Sequence, residues 1–386
     1  MSHTPLSGPS GREDATIIYM WPSPAGTRRA FVLGLAAAGV HAEDHGRSFP
    51  SEWRKFPDPA TEFEVLRLTD PVHSSYLPSA DSRPFSRRGN FLIFWSDRTG
   101  RPQAFRMDLK TGDCRQVTDA QSLDGSTLTL APDERSFCFF DGPSFRQMNL
   151  SNLKDREIYR VPDGWQRCPG LCVAGDYSAL FGELKDGRSR IRRIGMSKGV
   201  SSTVLEAPFV LCHPLARPRR SQILYRQGDE ALWIVDFNGG NNRKLRTPEG
   251  RIGQALWSPD GKTALYLHLP EDPARLNAIR EFVPDDGLDK MVSPTSQFAD
   301  FGPNTDGSVF VGASRNKNSP HILILLRVTR RELTLCEHRS SDPSKVAPVF
   351  SPDSQKIYFQ SDKHGKPAIY RVQVEKFVEK TEEETA

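Results

Sequence analysis

A tight-turn motif recurs seven times along this chain at nearly constant spacing, and it limits the fold more than any other feature. Its best-formed copy is Trp257-Ser258-Pro259-Asp260-Gly261, preceded by Gly253-Gln254-Ala255-Leu256 and followed by the strand-like run 263–269. Variants stand at Phe85-Ser86-Arg87-Arg88-Gly89, Ala131-Pro132-Asp133-Glu134, Ala174-Gly175-Asp176, Ala216-Arg217-Pro218, Thr305-Asp306-Gly307 and Ser351-Pro352-Asp353. The step between copies is about 42 to 48 residues, the period of a four-stranded propeller blade.

Each unit continues in the same way. A β-rich run follows the turn, as in Phe91-Leu92-Ile93-Phe94-Trp95 or Lys356-Ile357-Tyr358-Phe359. A polar turn, a third strand and a short fourth strand close the unit. Seven units fit between residues 78 and 376, and the last lacks a fourth strand of its own. The run Phe63-Glu64-Val65-Leu66-Arg67-Leu68-Thr69 has the pattern of a fourth strand, like Cys114-Arg115-Gln116-Val117-Thr118. Pairing it with the last unit closes the ring and removes an exposed sheet edge. The expected fold is all-β: a seven-bladed β-propeller closed by an N-terminal strand, one domain over 58–376. Residues 43–57 read as a linker and 377–386 as a charged tail. Blade five carries an insertion between Leu269 and Pro294, expected as a short helix or a long loop.

Residues 1–42 stand apart. Thr27-Arg28-Arg29-Ala30-Phe31 is a twin-arginine pattern, followed by an apolar stretch to Val40 and the small-residue end Val40-His41-Ala42. This reads as an upstream extension plus a twin-arginine signal peptide, and implies a bacterial protein exported to the periplasm or beyond. Removing these residues leaves 49 basic and 46 acidic side chains, a net charge of +3, against +4 for all 386 residues. So slight an excess does not call for nucleic acid, and no apolar run is long enough for a transmembrane helix. Of the six cysteines, Cys168 and Cys172 are close in sequence, but in no metal-binding or C-x-x-C spacing. Structural burial is expected, with one disulfide open after export.

The innermost strand of each blade lines the channel, so residues at one register form a ring at its mouth. Counting five back from each turn gives Ser82, Thr127, Gly170, His213, Gln254, Asp300 and Ala347, with one inserted residue in blade six. Blades four, five and six then bring imidazole, amide and carboxylate together, with Gln297 three residues before Asp300. That combination suits a small-molecule or metal site. It equally suits a polar, water-filled mouth.

Several of these residues carry a resemblance. Arg67-Leu68-Thr69-Asp70-Pro71 with His73, Ser96-Asp97-Arg98 with Gly100, His213-Pro214, and Trp257-Ser258-Pro259-Asp260-Gly261, in that order, resemble oligogalacturonate lyases over about residues 58–375. The Ser-Pro-Asp-Gly turns by themselves are shared with Tol-system β-propeller proteins. The resemblance implies a seven-bladed propeller, a manganese-type ion held by histidines and a glutamine, a histidine base and a helper arginine. The implied reaction is β-elimination on an acidic oligosaccharide, short pectin fragments. His213 falls at the implied base. Arg190 falls at the helper arginine, with Arg188 and Arg192 as rivals. Gln297 matches the ligand glutamine. The family carries histidines where this chain has Gln254, Asp300 and Gly302, so the implied metal shell is largely replaced. Gln254, Gln297 and Asp300 offer oxygen donors, which suit a hard divalent cation such as Mn²⁺ or Ca²⁺. His73 and Tyr76, just before blade one, are expected at the same mouth as substrate-binding residues beside Gln254. Two functions follow as expectations: an exported lyase on galacturonate oligosaccharides with a degenerate metal site, or a non-catalytic periplasmic propeller of the Tol-like kind.

Overall fold

The computed structural model describes residues 45–374 except 273, 296, 297 and 317. The segment expected to be a signal peptide, the expected charged tail and Gln297 therefore lie outside the described residues. Seven antiparallel sheets follow one another along the chain, in the order the repeat requires. Blade two is typical: Leu123–Leu130, Ser136–Asp141, Ser144–Asn149 and Asp155–Arg160 pair in sequence from the channel outward.

Burial explains the strand composition. The second strand of each blade packs on a neighbour through both faces, so its residues are almost all apolar and buried. Val309–Ser314 and Ala264–Leu269 are examples. The outermost strands, such as Val200–Ala207, have their first residues in solvent and carry Ser and Thr there. Seven clusters of buried apolar side chains fill the spaces between successive blades. Every blade therefore shares one core with the blade before it and one with the blade after.

The motif turns have a mechanical role. In blade five the Ser258 hydroxyl accepts the Thr263 N–H at 3.0 Å and donates to Asp260 Oδ1 at 2.7 Å. Gly261 has φ of +72°, and a Cβ there would lie 2.7 Å from the Pro218 carbonyl oxygen of the blade-four turn. The glycine thus allows adjacent turns to touch.

Closure is as expected. Glu64–Arg67 pairs antiparallel with Ala368–Gln373 and completes blade seven. The Thr69 hydroxyl accepts the Ile369 N–H at 3.0 Å, just beyond the paired strand. Residues 43–57 are more than a linker: Ser48–Phe49 adds a fifth strand to blade one, and Arg54–Pro57 adds one to blade seven. These stretches lack alternation because they cover sheet edges from outside, with little to pack against. The blade-five insertion forms no helix among its described residues. Ala278–Val283 and Leu288–Pro294 are ordinary third and fourth strands, so the extra length is confined to the loop at 270–277. No helix among the described residues is long and apolar enough to cross a membrane. All six cysteines are free, and five of them are buried.

Candidate active site

The innermost strands of blades two to six share a local defect. Pairing with the second strand slips between Asp124 and Thr129, Arg167 and Leu171, Cys212 and Leu215, Ile252 and Ala255, and Phe298 and Phe301. These β-bulges contain Thr127, Gly170, His213, Gln254 and Asp300, the ring residues counted from the turns. A bulge bends its strand and re-aims a side chain out of the sheet plane. In blades four, five and six it carries His213, Gln254 and Asp300 to the channel mouth.

A cavity of about 660 Å³ lies at that mouth. His213, Gln254, Asp300, Ala347 and Tyr76 line it, with Arg226, Lys345 and Trp95. Tyr76 stacks on Trp95, with ring centroids 4.3 Å apart and an interplanar angle of 20°. Thr127 turns inward instead. Its hydroxyl donates to the Asp124 carbonyl at 2.7 Å and accepts the Phe140 N–H at 2.9 Å, so it repairs its own bulge, and Ser126 lines the cavity in its place. His73 is not among the lining residues. It is held in the turn after Asp70, whose carbonyl accepts its N–H at 3.2 Å.

His213 is the one histidine among the described residues of the wall. Its φ is +51°, a left-handed backbone that non-glycine residues seldom adopt. Its Nδ1 lies 2.5 Å from Asp81 Oδ2. Nε2 has no hydrogen-bond partner among the described residues, and the side chain remains 31% exposed. Gln254 accepts the Phe301 N–H through Oε1 at 3.1 Å, which ties blade five to blade six beside Asp300. Asp300 has one oxygen, Oδ1, buried without a hydrogen-bond partner. Burial pushes its carboxyl up to about 7, against an opposite pull from the backbone N–H groups of Ala347 and Ala313.

Arg190 stands elsewhere. It lies in the third strand of blade three, outside the residues that line the cavity, where its Nε meets Glu183 Oε2 at 2.7 Å. Its guanidinium sits 3.7 Å over the Trp165 ring. Glu183 is fully buried and also accepts the Tyr159 hydroxyl at 2.8 Å, so Arg190 serves a buried ion pair. The arginine of the cavity wall is Arg226, one strand out from His213 in blade four.

Asp81, Arg226, Lys345 and Trp95 were not reached from sequence. Asp81 is one residue from Ser82, which the ring count did select. Its segment is the irregular connection between the two-residue inner strand Ser75–Tyr76 and Phe91–Ser96, where strand periodicity gives no register.

Fold and site together define a seven-bladed β-propeller with a cavity at one channel mouth that gathers an imidazole, an amide and a carboxyl on a largely apolar lining. Comparison with known proteins makes the likeness specific. An oligogalacturonide lyase of Pectobacterium atrosepticum is 24% identical over 385 residues, covering 85% of this chain and 98% of its own length. An oligogalacturonate lyase of Dickeya dadantii is 23% identical over 389 residues, with the same coverage. The solved structure of an oligogalacturonate lyase in complex with manganese matches with a TM-score of 0.81 at 22% identity, over 86% of this chain and 98% of that one. No family profile matches the chain. The resemblance to oligogalacturonate lyases thus extends over the whole ring.

The described residues do not fit a manganese site. No three His, Cys, Asp or Glu side chains among them are grouped to hold a metal ion. His213 is the single imidazole among the described residues of the wall, and the Gln254 oxygen already accepts a backbone N–H.

Proposed function

We propose that this chain is a lyase that cleaves short galacturonate oligosaccharides by β-elimination, with His213 as the base. The observation that carries this reading is His213 itself. It is a partly buried imidazole held at a strained backbone position on the wall of a ligand-sized cavity, with one ring nitrogen bound to a carboxylate and the other open. Strain of this kind costs about 1–3 kcal/mol and persists where the surroundings enforce it.

The chemistry follows from the substrate. The C5 proton of a galacturonate lies α to a carboxylate and is weakly acidic. His213 Nε2 takes that proton, and the C–H electron pair becomes the C4–C5 double bond. The bond from C4 to the glycosidic oxygen breaks, and the departing oxygen gains a proton from water. Histidine suits the step because its ordinary pKa lies near neutrality. Lys345 and Arg226, on the same wall, supply positive charge for an acidic sugar chain, and the Tyr76–Trp95 pair supplies an aromatic surface. Gln254 is placed to orient substrate beside Asp300. No step is assigned to a metal ion.

The test is direct. The protein is incubated with short oligogalacturonates at pH 6 to 9, with and without Mn²⁺, and the ultraviolet absorbance of the unsaturated product is followed. Product is expected, and His213→Ala should reduce its rate by about 10² to 10⁴-fold. Absence of product under every condition sinks the reading and leaves a non-catalytic propeller.

A further inference from the structure

The segment 77–84 leaves the blade-one sheet after Tyr76 and enters the channel. Two of the cavities along it share Asp81. Ala80 and Asp81 line the one that contains His213, and they also line a second, of about 740 Å³, among the blade turns on the opposite side. The segment is pinned to the blades on either side. The Leu77 N–H donates to Gln360 Oε1 of blade seven at 2.7 Å. The Ser79 N–H donates to the Ser126 carbonyl of blade two at 3.1 Å, and the Arg83 N–H to Thr129 Oγ1, also 3.1 Å. From this support Asp81 reaches blade four, 132 positions away in sequence.

Its side chain is nearly inaccessible, 7% exposed, and its carboxylate meets the His213 ring. Blade three makes room for the contact. Gly170 has φ of +96°, and a Cβ there would stand 2.6 Å from His213 Cα and 3.0 Å from Asp81 Oδ2. Three blades thus cooperate to hold one carboxylate against one imidazole nitrogen.

We infer that Asp81 is a positioning residue for His213, fixing the ring with its proton on Nδ1 and its lone pair on Nε2, the nitrogen open to the cavity. A carboxylate accepts hydrogen bonds and cannot donate one, so the nitrogen it binds must carry the proton. That assigns Nε2 as the proton acceptor, and places a negative charge beside the imidazolium formed after proton uptake. The proposal rests on the reading of His213 as a base, and its test has a readout independent of turnover.

The experiment is nitrogen-15 NMR of the full chain with labelled histidine, recorded with the rings neutral. The His213 signals are assigned by subtracting the spectrum of His213→Ala. Wild type should show a protonated Nδ1 and an unprotonated Nε2, whereas Asp81→Ala should move the proton to Nε2. Wild-type His213 with its proton on Nε2, or a tautomer unchanged in Asp81→Ala, overturns the proposal. Thermal melts report whether that variant folds, and Asp81→Asn replaces it if it does not. Where turnover is measurable, loss of the carboxylate should lower kcat by about 10² to 10⁴-fold, with KM within about threefold. Tautomer control without any wild-type turnover would remove the lyase reading and leave the Asp81–His213 contact standing.

Discussion

Gly170 and His213 occupy the bulges of neighbouring blades, both with positive φ, and each limits the other. Alanine at 170 would pay for a left-handed backbone, about 1–2 kcal/mol, and would also press on the backbone of His213. We expect Gly170→Ala to lower stability by about 2 kcal/mol or more in denaturant titrations, and to reduce turnover by displacing the base. A variant with wild-type stability would mean that this contact has slack. Asp300 offers a pH test. Its carboxyl is raised to about 7 in the folded chain, against about 3.9 when unfolded. Between roughly pH 4 and pH 7 the folded state therefore holds the extra proton, so stability from this group falls as pH rises through that window. The limit is on the order of 4 kcal/mol, at about 1.4 kcal/mol per unit. Asp300→Asn should lose less stability than wild type between pH 4 and pH 8. Parallel losses in the two proteins would show that Asp300 does not titrate there.

Arg190 belongs to the scale of the element. It sits mid-strand in blade three, where Glu183 would remain buried and short of its closest cation if Arg190 were removed. Breaking such a pair costs about 3–5 kcal/mol. Here Arg192 at 3.9 Å and the Tyr159 hydroxyl soften the loss. Arg190→Ala should therefore lower the Tm while leaving kcat of the folded protein within about threefold of wild type. A loss of about 100-fold in fully folded protein, the size expected for a group in the chemistry, would return Arg190 to the site. The sequence drew attention to Arg190 through its place in an arginine-rich run and the resemblance. Neither reveals that the partner strand supplies a buried glutamate opposite it.

The whole ring depends on one closure. Each blade is half of two cores, so the seam between the N-terminal strand and blade seven carries stability for both neighbours. Leu68, fully buried beside that seam, should cost about 2–5 kcal/mol on replacement by alanine, read from the denaturant midpoint. A loss below about 1 kcal/mol would mean that the seam relaxes around the gap. Closure was legible in advance because the orphan strand at 63–69 repeats the pattern of a blade's fourth strand. So were the seven blades and the ring register, through Trp257-Ser258-Pro259-Asp260-Gly261 and its variants, because turn chemistry and strand alternation are local and recur with the period of the fold. They led to His213, Gln254 and Asp300 as neighbours on one wall. Local patterns could not decide which neighbour each side chain meets. Thr127 shares the register of His213 yet folds back into its own sheet, and Gln254 spends its oxygen on the Phe301 backbone. Asp81 comes from an inner segment that breaks the repeat, and meets His213 only because a closed ring sets blade one across the channel from blade four. The sequence by itself determined the ring and which register faces its mouth. The tertiary structure decided the chemistry of that mouth, since contacts between distant blades leave no periodic trace in the chain.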